Sequence, residues 1–255
     1  MRMTLLGLAM VLLAAGAPGT ARAAEIKVLT AGAFKQVLLA LVPDFERQTG
    51  HKVIVQNDTV GALSKRIEAG ERFDVAVLTP AAVEELAKKS KLVAGSRADL
   101  ARVGVGVMVR AGAPRPDISS VDAFKRALLA ARSVAYIDPA SGGSSGIYVA
   151  RLLEKLGIAE QIKPKAKLKQ GGYVADLVVS GEAELGIHQI SEIVPVKEVV
   201  LVGPLPADIQ NYTVYAAGLA ADGKESEAAK ALVRALTGPA AVAVLKSRGM
   251  EPAGG

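Results

Sequence analysis

The chain has no cysteine, no tryptophan and only two histidines, and aromatic residues make up 4% of its 255 residues. Without thiols there is no disulfide scaffold, no thiolate zinc or iron–sulfur site, no cysteine nucleophile and no acylated cysteine of the bacterial lipoprotein type. His51 and His188 alone do not make a His-rich metal centre, and we expect neither metal nor cofactor. Charge of one sign is also lacking: 31 Lys plus Arg against 25 Asp plus Glu gives +6, and setting aside Arg2 and Arg22 leaves 29 against 25, or +4. That balance does not call for nucleic acid.

Long apolar runs are confined to the beginning. Arg2, the apolar stretch from Leu5 to Ala15, and Ala21-Arg22-Ala23 supply the charged, hydrophobic and small-residue parts of an export signal cleaved before Ala24. Gly16, Pro18 and Gly19 interrupt the stretch before it reaches the roughly 20 apolar residues of a membrane anchor. Residues 1–23 are expected to be a signal peptide, and the mature chain a periplasmic monomer without membrane insertion.

What is plentiful is apolar residues, 51%, arranged in two alternating periods. Ile26 to Leu29 reads as a strand, and Phe34, Val37, Leu38, Leu41, Val42 and Phe45 then recur at helical spacing. Lys52 to Gln56, Phe73 to Leu78, Val103 to Val109, Ser133 to Ile137, Leu185 to His188, Val199 to Val202 and Tyr212 to Leu219 read as further strands. Helical segments fall at Ala62 to Ala69, Ala81 to Lys89 after Pro80, Val121 to Ala131, Ile147 to Leu156, Ser226 to Leu236 and Pro239 to Lys246. The alternation predicts an α/β fold with mostly parallel sheets flanked by helices, and the length favours two lobes.

Three loops place small or hydroxyl residues between a strand and a helix: Thr30-Ala31-Gly32-Ala33, Asp58-Thr59-Val60-Gly61 and Ser141-Gly142-Gly143-Ser144-Ser145-Gly146. Each can aim free backbone N–H groups at an anion, and open α/β sheets bind ligands beyond the carboxyl ends of their strands. The same residues are also ordinary turn and cap chemistry. Gly142 to Gly146 matches G-x-S-x-G, with Asp176 and His188 following in triad order. Four residues separate it from the preceding strand, however, and no His-Gly-Gly oxyanion segment accompanies it, so serine hydrolysis is not supported. A Gly-Lys-Ser/Thr ending is absent too, which speaks against a nucleotide P-loop.

His51 lies between a helix end and a strand start and reads as structural. His188, at a strand end before Gln189, is either a satisfied buried histidine or a cleft-facing donor or base. Tyr173 after Gly171-Gly172, and Asn211-Tyr212-Thr213, are ligand-facing or hinge residues. Lys163, Lys165, Lys167 and Lys169 alternate as the solvated face of an edge strand would, and Arg66 reads as a solvated helical side chain rather than a counter-charge.

The whole mature chain resembles the periplasmic molybdate-binding protein family, part of the type II solute-binding proteins of ABC importers. The resemblance lies in Ile26-Lys27-Val28-Leu29 with its loop, Phe45 to Gly50, Ile67-Glu68-Ala69-Gly70 before Phe73-Asp74-Val75-Ala76, Ser145-Gly146-Ile147-Tyr148, and Gly181 to Ile187. It implies two α/β lobes on a two-stranded hinge, lobe 1 at 24–103 plus 212–255 and lobe 2 at 104–211. It also implies a small anionic solute in the cleft between them and an ABC-importer permease as partner. The family's serine donors correspond to Ala33 and to Val60 or Gly61 here, and its second-lobe tyrosine to Gln189. Two hydroxyl donors are thereby lost, which favours a roomier pocket and an organic carboxylate over molybdate. The ligand-binding set on this reading is Gly32, Ala33, Thr59, Val60, Gly61, Thr79, Ser144, Ser145, Gly146, Tyr173 and Gln189. A subgroup similar to bacterial aconitate isomerase shares this layout, including Val202 to Pro206 and Gln210 to Thr213. In such an enzyme a double bond is moved in a tricarboxylate, and His188 is the candidate base.

Overall fold

The computed structural model describes residues 23–224 and 226–254, so the proposed signal peptide lies, apart from Ala23, outside the described residues. In chain order the elements begin with β1 (Glu25–Ala31), α1 (Gly32–Thr49), β2 (Lys52–Asp58), α2 (Val60–Glu68), β3 (Val75–Leu78) and α3 (Pro80–Lys88). A long β4 (Ala98–Arg110) leads to α4 (Val121–Ala130), β5 (Val134–Ile137), α5 (Ser144–Lys155), α6 (Ala159–Ile162), β6 (Ala166–Lys169), α7 (Ala175–Val179), β7 (Leu185–Gln189), α8 (Ile190–Ile193) and β8 (Val199–Pro204). The chain closes with β9 (Tyr212–Leu219), α9 (Ser226–Thr237), α10 (Pro239–Ser247) and β10 (Glu251–Pro252).

The strands join in the order β2-β1-β3-β9-β4-β7-β5-β6, with β8 and β10 also paired to β4. β2, β1 and β3 run parallel, as do β7, β5 and β6, while β9 and β4 run antiparallel to their neighbours. Each parallel trio is the product of strand–helix–strand crossovers, which need helices to cover both faces. Accordingly β3, β5 and β7 are buried at every position. The α1 stripe of Phe34, Val37, Leu38, Val42 and Phe45 is buried against the sheet, and the helix ends at Gly50, whose φ of 73° lets its N–H reach back to the carbonyl of Glu46.

β4 belongs to both halves of the sheet. Its stretch from Ala98 to Gly104 pairs with β9, and Val105 to Arg110 pairs with β7 and β8. The core changes at the same place: Val103 packs with the helices of the first half and Val105 with those of the second. Two further clusters cover the opposite face of each half. Where the chain returns from β8 towards β9, the Gln210 side-chain amide takes the role of a strand backbone. Its oxygen accepts from Val105 N–H at 2.9 Å, and its nitrogen donates to the Val105 carbonyl at 3.0 Å.

The structure departs from the sequence expectation in particular ways. β4 starts at Ala98 rather than Val103, because Leu100 and Ala101 are buried beneath α9, a contact made 130 residues later in the chain. α5 starts at Ser144, three residues before the apolar stripe begins. Of the alternating lysines only Lys167 and Lys169 lie on the edge strand β6. Lys163 and Lys165 belong to a tight turn around Pro164, and the Lys165 ammonium donates to the carbonyls of Leu129 and Ala131 at the end of α4. Among the described residues no single helix is long and apolar enough to cross a membrane.

Candidate functional site

The carboxyl ends of β1, β2, β5 and β7 point at one another across the middle of the molecule, and a cavity of about 40 Å³ lies where they meet. Ala31, Gly32 and Ala33 line it from the β1–α1 junction, Asn57, Asp58, Thr59 and Val60 from the β2–α2 junction, Ile137, Gly143, Ser144 and Ser145 from the β5–α5 connection, and His188, Gln189, Glu192 and Tyr215 from beneath. Two of the helices that begin here have no side-chain cap, because Ala31 and Gly143 stand at the N-cap positions of α1 and α5. Their first N–H groups have no intrahelical partner and face the cavity end of an aligned set of peptide dipoles. The third, α2, is capped by Thr59, whose hydroxyl accepts from Ala62 N–H and donates to the carbonyl of Ser141 at 2.6 Å.

Of the residues predicted for a ligand, the structure gathers Gly32, Ala33, Thr59, Val60, Ser144, Ser145 and Gln189 around this cavity. Gly61, Gly146, Tyr173 and Thr79 are not among its lining residues. Gly61 instead makes a backbone contact across the cleft, donating to the carbonyl of Gly142 at 3.1 Å. Gly146 packs on the end of β5. The Tyr173 hydroxyl accepts from the Gln36 amide at 2.6 Å, a second contact between the halves. Thr79 stands at the start of α3. Gln189 is turned inward: its oxygen accepts from the Tyr215 hydroxyl at 2.8 Å, and its amide donates to Thr213 at 3.2 Å. Arg66 is spent on Glu71, to which it donates through two nitrogens, and on Gln56. His51 accepts from Ala24 N–H and lies away from the site.

Among the described residues no lysine or arginine lines the cavity, whereas two acids do. Asp58 accepts from the N–H of Thr59 at the rim. Glu192 is buried, and its Oε2 lies 3.2 Å from Nε2 of His188, four residues earlier at the end of β7. The other carboxylate oxygen faces the start of α1, where a Cβ placed on Gly32 would lie 2.7 Å from it, so a side chain there would have to displace the Glu192 carboxyl. Sequence patterning pointed to His188 but missed Glu192, Tyr215 and Asn57. The one local signal available was the four-residue spacing of His188 and Glu192, which the turn from β7 into α8 brings into contact. Among the described residues no three His, Asp or Glu side chains converge as metal ligands would.

Comparison with known proteins gives this arrangement its setting. The family model for bacterial extracellular solute-binding proteins matches residues 26–251. The chain belongs to that family. It is 32% identical over 233 residues to the aconitate isomerase of a Pseudomonas species, covering 89% of this chain and 87% of that protein. It is 33% identical over 241 residues to the molybdate-binding protein ModA of Azotobacter vinelandii, covering 90% of each. The solved structure of the Azotobacter vinelandii periplasmic molybdate-binding protein superposes with a TM-score of 0.76 at 24% identity, over 88% of this chain and 98% of that one. The two-lobed α/β architecture of the periplasmic binding proteins is therefore the fold of this solute-binding protein as well.

Burial sets the protonation of its inner dyad. It pushes the Glu192 carboxyl up to about 8, with only Lys35 opposing, and pushes the His188 imidazole down to about 3, so both are neutral near pH 7. Burial and the nearby Glu192 push the Tyr215 phenol upward, which keeps it a hydrogen-bond donor. Between the ordinary carboxyl value of 4.5 and about 8, the folded chain keeps a Glu192 proton that the unfolded chain releases, so this group lowers stability as pH rises. Between about 3 and 6.5 the unfolded chain gains a His188 proton that the folded chain refuses, so that group raises stability as pH rises. The two slopes cancel where they overlap. Stability is expected to be level from about pH 4.5 to 6.5 and to drop by roughly 2 kcal/mol by pH 8. Urea unfolding at a series of pH values checks this; a curve still level at pH 8 would mean that Glu192 is ionised in the folded protein.

Proposed function

We propose that this protein is the periplasmic receptor of an importer and closes two lobes, 24–103 plus 212–255 and 104–211, on a small anion. Residues 1–23 would direct export, and a membrane permease would receive the ligand. The observation that carries this reading is the convergence of two uncapped helix starts, α1 and α5, with the start of α2 on one cavity that no cationic side chain lines among the described residues. Orphan N–H groups need acceptors, and a carboxylate or a tetrahedral oxyanion supplies them. The hydroxyls of Ser144 and Ser145 add donors from the second lobe. Contacts from Thr59 and Gly61 to Ser141 and Gly142 on one rim, and from Gln36 to Tyr173 on another, would hold the lobes shut. The molybdate-binding relatives support the anion class. With Ala33 and Val60 where that resemblance implies serines, a carboxylate is the preferred guest.

Thermal unfolding with molybdate, tungstate, sulfate, acetate and aconitate tests the proposal, since a ligand of the folded state raises the midpoint. We expect at least one of these anions to do so, and Ser144→Ala with Ser145→Ala to weaken it by about 2 to 4 kcal/mol without loss of fold. An unchanged affinity would remove both serines from the site.

The His188–Glu192 dyad favours one second reading. Moving a double bond in a tricarboxylate requires a base beside a carbon next to a carboxylate, and the neutral imidazole of His188 beside Glu192 is the group at this cavity that would have to serve, although burial weakens it as a base. The aconitate isomerase relative supports this, while the small cavity and the absence of a cation among its lining residues favour the receptor. Incubation with cis- or trans-aconitate separates the two, because an enzyme interconverts them and a receptor does not.

A further inference from the structure

Two acids in an anion site need a reason, and Glu192 is the one placed to meet the guest. Its Oε2 lies 3.2 Å from Nε2 of His188, its Oε1 faces the first turn of α1, and a Cβ built on Gly32 at that turn would also lie 4.0 Å from the Asn57 amide nitrogen. Apart from the His188 contact, no hydrogen bond from a described residue reaches this carboxyl. An ionised Glu192 would itself occupy the helix start and repel any anion approaching the same N–H groups; an uncharged one adds a donor to them.

Resting on the reading that the anion is held in this cavity, we infer that Glu192 binds it as a carboxylic acid, with Oε1 donating its hydrogen to the anion while His188 holds Oε2 in position. The groups facing Glu192 are His188 from β7, Lys35 from α1, Asn57 and Asp58 from β2, Tyr215 from β9, and Tyr173 from the turn before α7. Of these only Lys35 is a cation, and its pull on Glu192 is smaller than the effect of burial. The proton balance is simple. Below the Glu192 transition the anion binds with no change in bound protons, and above it each anion bound brings one proton from solvent onto Glu192, with no other bond made or broken. His188 is a positioning residue in this scheme. The site would then favour guests that carry only acceptors, such as fully ionised carboxylates and tetrahedral dianions, and would release them as pH rises.

Titration calorimetry with molybdate, sulfate and acetate, none of which holds a proton between about pH 7 and 9.5, tests this on the mature chain. For the wild type we expect affinity to drop about tenfold per pH unit above about pH 8. Glu192→Gln keeps a donor but cannot ionise, so it should match the wild type within a few-fold at pH 7 and show no such drop. A flat wild-type profile, or an equal drop in the variant, overturns the inference while leaving the cavity reading intact. Failure of these three, and of tungstate and aconitate, to bind the wild type at pH 7 overturns both. Should the variant not fold, wild-type titrations at pH 9 in two buffers of different ionisation enthalpy decide: uptake near one proton per anion supports the inference and none overturns it.

Discussion

Gly61→Val is expected to abolish tight anion binding while leaving the unfolding temperature within a few degrees of wild type. A Cβ at this position would lie 2.8 Å from the Cα of Gly142 and 3.2 Å from the carbonyl oxygen of Ser141, both backbone atoms of the opposite half. The obstacle cannot rotate away as a side chain would, so the two rims are held apart and the bond from Gly61 N–H to Gly142 O is lost. Within its own half the substitution is mild, since α2 gains a few tenths of a kcal/mol in helix propensity on losing a glycine. We expect affinity to fall by a hundredfold or more, about 3 kcal/mol, with small-angle scattering showing a lasting open form where the wild type compacts on binding. Wild-type affinity in this variant would show that closure over Gly142 is not part of binding.

Gly146→Ala should act on the fold itself. At an ordinary helix position this change stabilises by up to about 1 kcal/mol. Here the added methyl would sit 2.2 Å from the carbonyl oxygen of Ile137 and 2.8 Å from its carbon, so α5 must lift from the end of β5. Overpacking against backbone puts the expected loss at about 3 kcal/mol, a fall of roughly 6 to 12 °C in Tm for a chain of this size. Because Ser144 and Ser145 ride on the same first turn, anion affinity should fall with it. A rise in Tm would mean that the helix start has more freedom than the contact with Ile137 allows.

These two glycines mark how the sequence could and could not be read. The loops that carry Gly61 and Gly146 were recognisable as small-residue junctions between a strand and a helix, and of the eight ligand candidates in the three such loops six line one cavity. What each glycine does was not legible, because the atoms that demand it belong to Gly142, 81 residues away in one case, and to the end of a neighbouring strand in the other. Short elements were lost for a related reason. α6, α7 and α8 span four or five residues each, too few for a helical period to show, and α8 carries Glu192.

The sequence by itself determined the alternation of buried strands and amphipathic helices, the family to which it belongs, and the placing of alanine and glycine where two helices would otherwise have capping side chains. These are written in periods of two and 3.6 residues and in single positions, so they can be read locally. The tertiary structure alone decided that those helix starts meet, that Tyr215 and Glu192 form the floor beneath them, and that the floor's carboxyl is neutral. The last of these follows from burial among groups drawn from five separate strands. Desolvation is a property of the whole enclosure rather than of any residue lining it.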